Sequence, residues 1–150
     1  MISKSTLKKA VQSKKVLIDS NIIIYLTDSV QPYDSLAQTL FRMIEAGEAE
    51  AVFSILSIGE VVQGPLRKGN IHLATKVRDY LLNFPNTHCQ ETTFDVLEKI
   101  GDDSRIIWKK LRTVDSLIIC SGLVCDIQLI VSNDKHFKAS LPKDLILSFN

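Results

Sequence analysis

Two short apolar runs in this chain each end on an aspartate: Lys15-Val16-Leu17-Ile18-Asp19, and Gln128-Leu129-Ile130-Val131-Ser132 leading into Asn133-Asp134. A short apolar run rich in branched residues and bounded by polar ones reads as a buried strand. Between them, helical and strand-like patterns alternate. Leu36, Leu40, Met43 and Ile44 fall on one face of a helix over Tyr33–Ala46 that Gly47 closes. Ala51–Ser54 reads as a strand, Ile55–Val62 as a helix ended by Gly64-Pro65, and Ile71–Phe84 as a helix with Pro85 beyond it. His88–Glu91 is a weak third strand, and Leu145–Leu147 a last one. Thr93–Leu111 reads as mainly helical with a break at Gly101–Ser104, and Val114–Val124 as a strongly apolar helix. Such alternation implies an α/β layer structure with a mainly parallel sheet. The whole of residues 1–150 reads as a single domain.

One stretch stays ambiguous. Ile22–Leu26 passes for a strand after a hairpin turn at Asp19-Ser20-Asn21, and equally for a short buried helix capped by Ser20 or Asn21. A run this short carries no distinguishing period.

Residues 1–15 form a basic extension with five lysines and no acid. It lacks the apolar core of a secretory signal. Ser5 is a possible cap for a helix over Leu7–Gln12, and a solvated, frayed tail is the reading preferred over a nucleic-acid contact. No apolar run approaches the roughly 20 residues of a membrane span. The three cysteines, Cys89, Cys120 and Cys125, show no Cys/His spacing suited to zinc, and their count fits a reducing cytoplasm. A net charge of +1 neither favours nor excludes nucleic acid as a partner.

The chemistry-bearing residues are acids. In an open parallel sheet, ligands bind beyond the carboxyl ends of the strands, which is where Asp19 and Asp134 fall. Glu60 and Asp115 lie in helical segments among apolar neighbours, and none of the four has an obvious cationic partner nearby in sequence. Each also has a plainer role: Asp19, Asp115 and Asp134 as helix caps, Glu60 as a surface acid. Four converging carboxylates would repel one another unless a cation neutralised them. An all-carboxylate set suits a hard ion such as Mg²⁺ or Mn²⁺, which can polarise a phosphoryl oxygen and activate water for phosphodiester hydrolysis. Asp126 sits at the wrong end of its strand, and Asp28, Asp102 and Asp103 are not placed in the site.

Four segments, VLIDSNIIIYL, SILSIGEVVQG, TVDSLIICSGL and LIVSNDKHF, together resemble the PIN-domain ribonucleases, and among them the VapC-like toxins of toxin–antitoxin pairs. The resemblance runs from about Val16 to Phe137. It implies a three-layer α/β/α sandwich with a mainly parallel central sheet, and a helix rather than a strand after Asp19-Ser20-Asn21. It implies that Asp19, Glu60, Asp115 and Asp134 are the catalytic, metal-binding acids, with Asn21, Ser132 and Asn133 supporting them by hydrogen bonds. The implied activity is Mg²⁺- or Mn²⁺-dependent RNA hydrolysis; the implied partners are RNA, an antitoxin protein and a second copy of the chain. Many relatives carry a further acid where this chain has His136, which encourages the reading of a catalytically weak RNA- or protein-binding module and puts a second metal ion in question. Arg105, Lys109, Lys110 and Arg112 are the candidates for guiding the RNA backbone, with a solvated helical face as the equal alternative. Trp108 reads as a core or interface residue.

Overall fold

The computed structural model describes residues 1–150. Five strands, β1 (Lys15–Ile18), β2 (Glu50–Ser54), β3 (Thr87–Gln90), β4 (Leu129–Val131) and β5 (Ile146–Leu147), form one sheet in the order β3-β2-β1-β4-β5. Every neighbouring pair is parallel. The helices are α1 (Lys4–Val11), α2 (Ser20–Thr27), α3 (Asp34–Glu45), α4 (Ile55–Arg67), α5 (Ile71–Leu82), α6 (Phe94–Glu98), α7 (Thr113–Leu123) and α8 (Lys135–Ser140).

Successive strand side chains point to opposite faces, so each central strand feeds two cores. Val16, Ile18, Ala51, Phe53, Leu129 and Val131 pack with α1–α4 on one face. Leu17, Val52 and Ile130 pack with Ile118, Ile119 and Phe137 of α7 and α8 on the other. The result is the expected α/β/α sandwich. On the second face α7 lies close to the sheet because Gly122 has no side chain: a Cβ there would stand 2.9 Å from Ile127 Cγ1 and 3.0 Å from Leu17 Cδ2.

The structure settles the segment after Asp19 as helix. Asp19 is the N-cap of α2, its side chain accepting the Ser20 amide hydrogen. Three expectations need correction. First, the basic extension is not a frayed tail. Ser3, rather than Ser5, caps α1, and Leu7 and Val11 are fully buried while the lysines stay outside. The Ile2 amide also donates to the Phe149 carbonyl at 2.8 Å, tying the two ends of the chain together.

Second, α4 runs through Gly64-Pro65 to Arg67. Its stop is Gly69, which takes φ +73°, a conformation that costs glycine nothing. Third, residues 93–111 are mostly non-helical. Only α6 and a single 3-10 turn at Trp108–Lys110 form. Gly101 takes φ +88°, the Asp103 carboxylate accepts the Arg105 amide at 2.9 Å, and the Asp103 carbonyl accepts the Trp108 indole N–H at 3.0 Å. Local side-chain bonds of this kind compete with a continuous helix.

Candidate acidic site at the carboxyl ends of the strands

Asp19 follows β1 directly, and its amide still donates across to the Val131 carbonyl of β4 at 3.1 Å. The residue is 4% exposed. Oδ1 accepts the Ser20 amide hydrogen at 2.8 Å; Oδ2 accepts from the Ser132 hydroxyl at 2.6 Å and from Asn21 Nδ2 at 3.0 Å. Capping α2 and serving a site are therefore compatible roles for one carboxylate.

Ser132 links this strand end to the next. Its hydroxyl oxygen accepts the Asp134 amide at 3.0 Å, while the Asp134 carboxylate caps α8 by accepting from the His136 amide at 2.7 Å and the Phe137 amide at 3.2 Å. Asn133 fixes the turn: its amide donates to Asn21 Oδ1 at 3.1 Å and its Nδ2 to the Tyr25 hydroxyl at 3.2 Å. Its Oδ1 accepts from the Ser148 hydroxyl at 2.8 Å and the Phe149 amide at 2.7 Å. The predicted supporting trio of Asn21, Ser132 and Asn133 thus forms one network around Asp19. Tyr25, Ser148 and Phe149 complete it and carry no sequence signal, because only the folded backbone brings them beside Asn133.

Asp115 lies in the first turn of α7 and is 4% exposed. Contrary to expectation, it has a cationic partner. Arg112 Nε donates to Oδ2 at 3.2 Å and Arg112 Nη2 to Oδ1 at 3.3 Å, with the Arg112 amide on Oδ2 at 3.3 Å. The i, i+3 spacing across a helix start was the signal for this pair. Glu60 projects from α4 and is exposed.

Electrostatics ties the four acids together. Burial raises the Asp19 pKa, the hydrogen bonds from Ser132 and Ser20 oppose the rise, and the charges of Asp134 and Asp115 add to it. The Glu60 pKa is raised by partial burial and then by Asp19 and Asp115; the Ser20 side chain and Arg112 pull it back. The field at Arg112 includes Asp134 and Glu60 as well as Asp115. Asp19 is thus coupled to each of Asp134, Asp115 and Glu60, and Glu60 also to Asp115. As they stand, no three acidic, histidine or cysteine side chains close into a cation cage. The donor set is all oxygen, and its excess negative charge suits a hard divalent ion.

The basic candidates separate. Arg112 is at the site but engaged with Asp115. Arg105 pairs with Asp103 and Asp144, away from the four acids. Lys109 and Lys110 are exposed on the 3-10 turn that leads into α7.

Burial of Asp19 has a measurable consequence. An acid whose folded-state pKa is raised keeps its proton longer in the native state than in the unfolded chain. Stability is then lost as pH climbs from the ordinary value, 3.8 for this group, through the raised one. Asparagine has no such dependence. In metal-free buffer, the melting temperature of Asp19→Asn relative to wild type is expected to move in the variant's favour between acidic and neutral pH. A constant difference would mean that burial does not strain the charge.

The PIN domain profile matches residues 16–140. No curated protein matches the chain by sequence. Among solved structures, the chain is similar to VapBC2 from Rickettsia felis bound to a promoter DNA fragment, with a TM-score of 0.66 and 17% identity over 91% of this chain and 99% of the other. VapBC from Salmonella typhimurium, also DNA-bound, gives 0.65 and 13% over 91% and 99%. VapC20 of Mycobacterium tuberculosis, described as a toxin cleaving the sarcin–ricin loop, gives 0.62 and 14% over 83% and 93%. With the profile spanning β1 through α8 and all four acids inside it, the chain belongs to the PIN domain family.

Proposed function

We propose that this protein is a divalent-metal-dependent ribonuclease, acting as the toxin of a toxin–antitoxin pair. The observation that carries this reading is the buried Asp19 at the end of β1, held by Ser132 and Asn21 and coupled in charge to Asp134, Asp115 and Glu60 from three other elements. The similarity to VapC20 and to two-component VapBC assemblies supports the substrate class and the antitoxin partner. Apolar side chains exposed on α5, among them Ile71, Leu73 and Tyr80, offer surface for a protein partner, whether antitoxin or second copy. The cytoplasm is the compartment in which such a pair would meet RNA, and the N-terminal helix is built into the one domain.

In this reading the four acids hold Mg²⁺ or Mn²⁺. When bound, such an ion supplies Lewis acidity toward the phosphate and a water of lowered pKa. The chain's own contribution is preorganisation. Ser132 and Asn21 fix the position of Asp19, the Ser132–Asp19 bond ties the ends of β1 and β4 together, the Ser132–Asp134 bond shapes the turn after β4, and Asn133 locks that turn to the C-terminal residues. Exposed Lys109 and Lys110 supply positive charge on the approach to α7.

Titrating Mn²⁺ while following both melting temperature and cleavage of a mixed RNA pool tests the reading. A ligand that binds only the native state raises its stability by mass action. At one hundred times its dissociation constant the gain is about 2.7 kcal/mol, or roughly 5–11 °C for a domain of this size. Stabilisation with cleavage is the expected result. His136, exposed where many relatives have an acid, favours one second reading, an RNA-binding module with little catalysis; Mn²⁺ stabilisation and RNA binding without cleavage would select it. If the ion changes neither quantity, both metal-dependent readings fail.

A further inference from the structure

The Arg112–Asp115 pair has unusual exposure. Asp115 is almost wholly buried, its side chain 6% exposed, whereas the Arg112 side chain is 77% exposed. The guanidinium reaches both carboxylate oxygens, at 3.2 and 3.3 Å. It is the side-chain partner of the Asp115 carboxylate, whereas Asp19 is held by Ser132 and Asn21 and Asp134 by backbone amides. Its charge acts on Asp134 and Glu60 as well.

We propose that Arg112 is a built-in, exchangeable counter-cation: it neutralises Asp115 in the metal-free protein, and a divalent ion must displace it to complete the acidic centre. This rests on the reading of the four acids as a metal centre and adds a regulatory step to it. The Arg112 head is mostly exposed and well solvated once freed, so the exchange costs little when the incoming cation neutralises the buried Asp115 carboxylate in its place. Once released, the guanidinium stands at the rim with its forked donors free, a geometry matched to a phosphodiester oxygen pair. One side chain would thus keep the empty site from collapsing or repelling itself, and then face the substrate when the site is loaded.

Purely local capping of α7 is the competing explanation for the pair. The two differ in what Arg112→Gln does to metal affinity. Exchange predicts that Arg112→Gln binds Mn²⁺ about two- to five-fold more tightly than wild type by calorimetry, the range set by the strength of an exposed ion pair. Arg112→Lys, which cannot straddle both oxygens, is expected to fall between. In the wild type, the Arg112 Nε–H signal in nitrogen-resolved NMR is expected to shift from its ion-paired position when Mg²⁺ is added; this readout survives even if the variants fold poorly. Equal Mn²⁺ affinity in all three proteins with an unmoved Nε–H signal overturns the exchange and leaves the metal centre standing. Weaker binding in Arg112→Gln also overturns it. No Mn²⁺ binding in any of the proteins overturns the exchange and the metal centre together.

Discussion

Asp19→Asn is expected to lower metal-dependent RNA cleavage by about a hundred- to a thousand-fold or more, the range seen when one preorganised electrostatic group is removed from an active site. The substitution is close to isosteric, and asparagine is as good an N-cap as aspartate, so α2 keeps its start. What changes is charge and donor count. Oδ2 now accepts from both Ser132 and Asn21. If the asparagine oxygen stays on the Ser20 amide, the new NH₂ group faces the Asn21 NH₂, and the Ser132 hydroxyl must turn round to accept. Loss of that arrangement weakens the scaffold, while removal of a buried charge relieves it. The net effect on folding is therefore small beside the effect on cleavage. Single-turnover cleavage of one RNA with saturating Mn²⁺, read beside a melting curve of each protein, checks this. Cleavage within ten-fold of wild type in the folded variant would remove Asp19 from the reaction.

Leu7→Ala is expected to destabilise the protein by about 2–5 kcal/mol, the range for truncating a fully buried leucine. Leu7 is 0% exposed and belongs to the larger core together with Val16, Leu40 and Phe149. The corresponding fall in melting temperature is roughly 4–20 °C for a chain near this length. Lys8→Ala, on the exposed side of the same helix, is the control and is expected to stay within about 0.5 kcal/mol of wild type. Similar melting temperatures for Leu7→Ala and wild type would mean that α1 detaches in solution and that the basic extension is a tail after all.

Much of the sheet was legible because its strands are short apolar runs with polar ends, and the two central ones deliver an aspartate at the place where such sheets bind ligands. Helix α3 was equally plain, since four apolar residues repeat on one face. Segment 20–27 was not, because its five consecutive apolar residues satisfy either period; the capping bond from Asp19 decides it. In α4, the dipeptide Gly64-Pro65 looks like a terminator, yet Gly69 is the residue that takes the left-handed backbone. The tail reading of α1 failed because lysines dominate it, while only two side chains, Leu7 and Val11, do the anchoring. As for the site, the acids could be named from their neighbours and their resemblance. The Arg112–Asp115 pair had a signal in its i, i+3 spacing, whereas the clamp of Ser148 and Phe149 on Asn133 had none, since it joins residues fifteen or more positions apart.

The strand order β3-β2-β1-β4-β5 has a consequence for synthesis. β1 emerges first from the ribosome, but its neighbour β4 follows more than a hundred residues later. Asp19 cannot receive its bond from Ser132, nor meet Asp134, until β4 has been inserted beside β1. Nascent chains fold from the N-terminal side as they appear, so the early helices and β2 can assemble while the acidic cluster is still divided. For a ribonuclease of the kind proposed here, growing at the exit of an RNA machine, the topology postpones a complete centre until β4 has been made. An interrupted translation product that ends before β4 would release an unarmed fragment.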